Sequence, residues 1–309
     1  MAAAIADTRG RTASSRSTVA SARPVAGFLI AVLVLAVVWE VAKWLAGDPW
    51  RFESFLGTGI RVDHTPPFHL LQLSDINLPH VWDVVGAFVA TDAAGRTGLE
   101  TLAGSALFTL RGAIVGFALG AVIGFVLAIL LVHVRILERA LVPLVVASQT
   151  IPIVALAPII VVGLHAGWFG IAIVASYLTF FPVTIAAIRG MRAADPRAFE
   201  LLRSYAADRR SVLFKLRLPA SYPYLFTALK ISATASIVGA IVGELPSGFR
   251  EGLGGAILLA MQYYTFSPAD LWAVVIVAAA LGGLAFLAVV VVERLALRNQ
   301  RPIEAESAA

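Results

Sequence analysis

Apolar residues in this chain come in long runs separated by short charged segments, and within the runs they show no two-residue alternation. Six runs reach the roughly 20 predominantly apolar residues that a bilayer core requires of a helix. They are Val25–Ala46, Ala113–Val134, Leu141–Leu164, Phe169–Ile188, Tyr224–Leu245 and Leu271–Val292. Spanning strands would be about ten residues long and alternate in polarity, so the pattern predicts an all-α polytopic membrane protein with six transmembrane helices. The first run exceeds the roughly 7–15-residue apolar region of a signal peptide. Trp39, Glu40 and Lys43 also make a poor cleavage site, so the run reads as a retained helix.

The polar segments divide the chain further. Residues 1–24 are aperiodic and rich in Ala, Ser, Thr and Arg, which predicts a disordered basic tail. After the first helix, residues 47–98 carry Pro49, Pro66, Pro67 and Pro79, so a mostly irregular connection is expected. Within it Val81–Thr91 has the makings of a short surface helix, with Trp82 and Phe88 at the membrane interface. Residues 99–292 form a five-helix core interrupted by a charged loop over 193–219, and residues 293–309 form a second tail.

Composition agrees with this reading: 59% of residues are hydrophobic, 14% are charged and the mean hydropathy is +0.87. Arginine placement then sets the orientation, because basic residues collect on the cytoplasmic side. Arg9, Arg11, Arg16 and Arg23 precede the first helix, Arg135 and Arg139 follow the second, Arg189 to Arg217 follow the fourth, and Arg294, Arg298 and Arg301 follow the sixth. Both termini are therefore expected to be cytoplasmic in a multi-pass protein of the cell (inner) membrane, with residues 47–98 outside. The net charge of +5 follows from this topology and needs no nucleic-acid partner. With no cysteine, disulfides and thiolate metal sites are excluded.

Some features inside the runs bear on packing and passage. Gly112, Gly116, Gly120 and Gly124 recur every four residues and line one helix face, a pattern that lets another backbone approach closely. A phosphate cradle is excluded, since these glycines lie inside an apolar helix. Pro152, Pro158 and Pro182 each remove a backbone donor. With Gln149, Thr150, Tyr177, Thr179 and Thr184 they mark candidate lining of a translocation pathway; the alternative is kinked helices whose hydroxyls bond their own backbones. Glu244, followed by Pro246, is either a gate at the outer mouth of that pathway or a carboxylate that merely ends its helix.

The charged loop has its own helical grammar. Asp195-Pro196 is a helix start, with Asp as N-cap and Pro in the first turn. Phe199, Leu202, Tyr205 and Ala206 share one face, opposite Arg197 and Arg203. Asp208 caps a second short helix through Val212, Leu213 and Leu216, which Pro219 is expected to stop. Such an amphipathic element lies either on anionic lipid or in a groove of a partner protein.

The spacing Glu200, Ala206, Leu216-Arg217-Leu218-Pro219 resembles the EAA loop of ABC-importer permeases, with Leu201 and Leu202 in place of the two alanines and Ala206 in place of a glycine. Leu78-Pro79, Thr150–Pro158, Phe180-Phe181-Pro182 and Val242–Leu245 look similar to segments of the nitrate/sulfonate/taurine-type permeases. This resemblance implies six helices, a permease homodimer, an extracytoplasmic solute-binding protein and an ABC ATPase subunit that carries ATP and Mg. It implies that Phe199, Glu200, Leu202, Tyr205, Ala206 and Pro219 couple to the ATPase, and that this chain binds no cofactor of its own. Alanine lacks the positive-φ freedom of glycine, so the turn at Ala206 is expected to be built differently here. Ala235–Gly248 and Tyr263-Tyr264 are similar to permeases for riboflavin or the pyrimidine precursor of thiamin; sulfonates, taurine and nitrate are the other options.

No enzyme is expected. Lys43, Lys215 and Lys230 are not preceded by glycine, so no phosphate loop exists, and the five histidines form no zinc motif. An ion-coupled secondary transporter is the alternative, but it calls for ionisable residues near the bilayer midplane. Glu40, Lys43, Arg111, Lys230, Glu244 and Glu293 all fall near predicted helix ends.

Overall fold

The computed structural model describes residues 13–52, 61–92, 94–165 and 167–298. Residues 1–12 and 299–309, and with them parts of both expected tails, lie outside the described residues. The chain divides into two compact units, residues 1–87 with 264–269 and residues 88–263 with 270–309.

In the first unit α1 (Ala13–Ala46) begins well before the predicted boundary, so residues 13–24, expected to be irregular, are helical. Most of its apolar side chains from Phe28 to Leu45 are exposed, as suits a helix surrounded by lipid. After α1 come two short antiparallel strands, β1 (Trp50–Phe52) and β2 (Val62–His64), with Trp50 opposite His64. A 3-10 turn (Leu71–Leu73) and α2 (Val81–Val89) follow, the latter close to the predicted surface helix. Polar residues at the end of α1 stitch this segment together. Glu40 accepts the Val81 amide at 2.7 Å and meets His80 Nδ1 at 2.9 Å, while Trp39 donates to the Pro79 carbonyl at 3.0 Å. The Lys43 ammonium donates to Asp75 at 2.6 Å and to the Leu78 carbonyl at 2.5 Å.

The second unit holds α3 (Gly98–His133), α4 (Arg135–Ser148), α5 (Ile153–Pro158), α6 (Gly167–Arg192), α7 (Pro196–Ser204), α8 (Arg209–Val212), α9 (Leu218–Glu244), α10 (Leu253–Gln262) and α11 (Pro268–Leu297). α3 starts long before Ala113 because Thr97 and Glu100 form a reciprocal capping box, with bonds of 3.2 and 2.9 Å. The predicted third span is not one straight helix. α4 ends at Ser148, and the pair formed by α4 with Ile153–Gly163 is bent by 92°. Pro152 and the extended backbone it prefers account for the break. Across all described residues five helices are long and apolar enough to span a bilayer, and six spans result if the bent pair counts as one.

Pro219 does not stop the helix that begins at Arg209. A π turn over Leu213–Arg217 joins α8 to α9, and the helical path runs on to Glu244. In α-helical register the proline ring would press on the carbonyl four residues earlier, that of Lys215. The wide turn that contains Lys215 relieves this clash, a common use of π bulges.

The core of the unit is the stack of α3, α6 and α9, whose contact surfaces are made of small residues. A Cβ added to Gly116 would come within 2.4 Å of the Ala175 Cβ, and one added to Gly120 within 2.5 Å of the Ser176 carbonyl oxygen. Gly124 would meet the Phe180 carbonyl at 2.5 Å and Gly112 the Ile171 side chain at 3.0 Å, so the glycine stripe of α3 lies directly on α6. From the other side Gly239 of α9 comes as close to Ala175, its added Cβ 2.7 Å from that Cα. Below this contact Ala128, Leu131, Ala187, Ile188 and Met191 form a buried apolar cluster that Leu141 and Leu213 extend.

Candidate functional site

Three places in the second unit gather the residues singled out from sequence. The first is the α4–α5 bend. Gln149 ends α4, Thr150 donates to the Ala147 carbonyl at 2.7 Å, and Pro152 starts α5. Tyr177 of α6 donates its hydroxyl proton to the Ser148 carbonyl. Gln149, Thr150, Pro152 and Tyr177 are thus brought together where backbone carbonyls are left without helical partners. Thr179 is not part of this group. It is fully buried, donates to the Ala175 carbonyl at 3.1 Å and packs on Gly120, so its expected place in the pathway lining is corrected. A separate cavity of about 630 Å3 opens between α6 and α9, with Pro182, Arg189, Pro223, Tyr224 and Thr227 in its walls.

The second place is Glu244. It lies at no open mouth: the side chain is 0% exposed. Its Oε2 accepts from the Thr109 hydroxyl of α3 at 3.0 Å and from the Gly254 amide at 2.7 Å. Thr109 in turn accepts the Leu253 amide at 2.9 Å, so two amides in the first turn of α10 are held by α3 and α9 together. A side chain at Gly252 would sit 2.4 Å from the carboxyl group. Oε1 is buried without a hydrogen-bond partner among the described residues. Glu244 is the last residue of α9, and in this structure its side chain clamps the α3–α9–α10 junction. Sequence reasoning missed α10, Thr109 and Gly252. The tight pair Gly254-Gly255 after Gly252 was the available signal.

The third place is the α7–α8 loop. Asp195 caps α7 by accepting the Arg197 amide at 2.8 Å, and Pro196 occupies the first turn. At the other end Ala207 N–H reaches the Leu202 carbonyl and Ala206 N–H the Arg203 carbonyl, both at 3.0 Å. This is the paired bonding of a Schellman motif. Ala206 adopts φ 51° to make it. Alanine here takes a left-handed conformation that its Cβ disfavours. Asp208 accepts the Ser211 amide at 3.0 Å, and these bonds to Ser211 hold its carboxyl below the usual range.

On α7 the apolar residues point in two directions. Leu201 and Tyr205, one turn apart, are 58% and 76% exposed, whereas Leu202 is half-buried and Phe199 lies under the Arg217 guanidinium at 5.8 Å. Glu200 is exposed. Pro219 is half-buried at the start of α9, away from the loop tip.

Residues 120–301 match the family described as binding-protein-dependent transport system inner membrane component, more than half of the 309 residues. The chain belongs to this family. It is 36% identical over 165 residues to the formylaminopyrimidine transport permease protein ThiX of Halalkalibacterium halodurans, a match covering 52% of this chain and 63% of that protein. To the riboflavin transport system permease protein RibX of Chloroflexus aurantiacus it is 36% identical over 128 residues, 41% of this chain and 47% of the relative. To the putative aliphatic sulfonates transport permease protein SsuC of Bacillus subtilis it is 30% identical, over 37% of this chain and 41% of that one. The chain thus spans less than two thirds of the length of these relatives. The fold is similar to that in the crystal structure of an amino acid ABC transporter with histidines, with a TM-score of 0.51 at 16% identity, over 65% of this chain and 94% of that one. Fold class and permease family read from the sequence agree with these matches.

Proposed function

We propose that this chain is the permease subunit of an ATP-driven, binding-protein-dependent importer of a small organic solute. It sits in the cell (inner) membrane with α7 and α8 on the cytoplasmic side. Its partners are an ABC ATPase subunit that binds ATP and Mg, an extracytoplasmic solute-binding protein and a second copy of itself. The two relatives at 36% identity favour a heteroaromatic cargo of the riboflavin or formylaminopyrimidine kind over a sulfonate, taurine or nitrate.

One observation carries the coupling role: a capped, amphipathic helix lying between two spanning helices with Leu201 and Tyr205 exposed on one face. A soluble partner's groove would cover that face. The family match, to a binding-protein-dependent transport component, favours this reading over the ion-coupled alternative.

Burying a leucine at a contact is worth about 1.5–3 kcal/mol. Leu201→Asp should therefore release the ATPase subunit from the purified complex while the permease stays folded in the membrane. Undiminished co-purification and coupled ATP hydrolysis would refute the docking role. Orientation is tested separately by cysteines at the exposed positions Gln72 and Ser204. An impermeant thiol reagent should reach them from opposite sides of the membrane, and labelling from one side would overturn the topology.

A further inference from the structure

Behind α7 lies a pocket of about 270 Å3 that the coupling role does not use. Its walls combine the basic side chains His133, Arg203, Arg209 and Arg217 with the apolar side chains Phe199 and Val212. Among the described residues no carboxylate lines it. Of the acidic residues near it in sequence, Glu138 pairs with Arg192, Asp195 and Asp208 cap α7 and α8 through the Arg197 and Ser211 amides, and Glu200 is exposed on α7 and does not line the pocket. The pocket therefore holds a concentration of positive charge without a counter-ion on its walls. The Arg217 guanidinium lies over the Phe199 ring at 5.8 Å from its centroid, within cation–π range.

We propose that this pocket binds a phosphate-bearing anion, supplied by the headgroup of an anionic phospholipid. Arginine forks match phosphate oxygens in geometry and charge. The position of the pocket identifies the source. His133 is the last residue of α3 and Arg217 lies seven residues before the apolar run that begins at Tyr224, so both stand at the edge of membrane-spanning segments, the level at which headgroups lie. The apolar wall formed by Phe199 and Val212 suits the glycerol and upper acyl region better than it suits free phosphate or a peptide carboxylate. Bound there, the lipid contacts the end of α3, α7 and the start of α9 at once. It ties the loop to the membrane-spanning helices on the side of α7 that is turned away from Leu201 and Tyr205. The inference goes beyond the coupling role and does not depend on the side of the membrane on which α7 lies.

The test uses the full chain in nanodiscs of phosphatidylcholine with or without phosphatidylglycerol, followed by native mass spectrometry of the extracted protein. The parent should retain phosphatidylglycerol in at least tenfold preference to phosphatidylcholine. Arg203→Gln and Arg217→Gln should each lower retention several-fold, and Arg210→Gln, outside the pocket, should not. Val212→Trp fills the apolar wall without altering charge and should also expel the lipid, which separates a blocked pocket from a misfolded arginine variant. Retention by the arginine variants and by Val212→Trp equal to the parent's would overturn the proposal. Displacement of the bound lipid by millimolar inorganic phosphate, with no preference between the two lipids, would assign the pocket to a soluble phosphate instead. Loss of the ATPase subunit from Arg217→Gln with lipid retention unchanged would assign it to an acidic side chain of that partner.

Discussion

Lys43 in the first unit and Glu244 in the second are both wholly buried, yet they are accommodated by opposite means. The Lys43 ammonium has a carboxylate and a carbonyl within 2.6 Å, and its neighbours Trp39 and Glu40 also bond across to residues 79–81. Glu244 has one oxygen satisfied by Thr109 and Gly254 and the other without a partner among the described residues. Around it the second unit is held by close fit between small residues. α1 offers lipid a continuous apolar surface, so the first unit is tied together by polar side chains at the end of that helix. α3, α6 and α9 instead remove side-chain volume until their backbones touch, which is how helices associate where water supplies no hydrophobic drive.

The largest expected effect follows from the fit. Gly120→Leu places a side chain where even a Cβ would lie 2.5 Å from a carbonyl oxygen, so little folded protein should survive detergent extraction. Gly104→Leu, at a position with nothing within 4 Å, should extract and melt like the parent. Equal behaviour of the two variants would break the distinction between a packed glycine face and an incidental one.

A smaller and sharper comparison sets Lys43→Met against Thr109→Val. Lys43→Met removes hydrogen bonds from a charged donor, worth about 1.5–3 kcal/mol, and Thr109→Val removes one to a buried carboxyl group, worth about 1 kcal/mol or more. Lys43→Met leaves Asp75, which is 52% exposed, free to turn to water, so its effect should be confined to increased proteolysis within residues 62–87. Thr109→Val leaves Glu244 with the Gly254 amide alone and should raise amide hydrogen exchange at Leu253 and through α10. Exchange in α10 equal to the parent's would show that the Glu244 clamp holds nothing.

The smallest effect is at Ala206. A left-handed alanine costs about 1–2 kcal/mol relative to its preferred backbone, and glycine is spared most of this. Ala206→Gly should raise the melting temperature of the second unit slightly and leave ATPase binding intact. A lower melting temperature would mean that the turn at φ 51° is not strained.

Much of this was legible in sequence because the controlling signals are local. Apolar run length marked the spanning helices, the four-residue glycine period marked the face of α3 that meets α6, and Asp195-Pro196 and Asp208 marked two helix starts. Long-range compensation was not legible. Pro219 reads as a stop signal, and only the π turn before it explains why the helix continues. The apolar content of residues 141–164 hides a 92° bend, since composition says nothing about direction. Glu244 does end α9, but nothing in the sequence around it shows that Thr109, 135 residues away, meets it. Ala206 shows that a sequence rule about glycine states a cost and not a prohibition.

The π turn has a mechanical consequence. It makes Arg209–Glu244 a single shaft of 36 residues, about 54 Å long at 1.5 Å per residue. One end carries the α7–α8 loop and the other ends in the carboxylate that fastens α10. Torque applied at Arg209 therefore reaches the α10 anchorage through continuous helix, with no hinge loop in which to dissipate, and the wide turn and Pro223 further along α9 are where the shaft can take up slack.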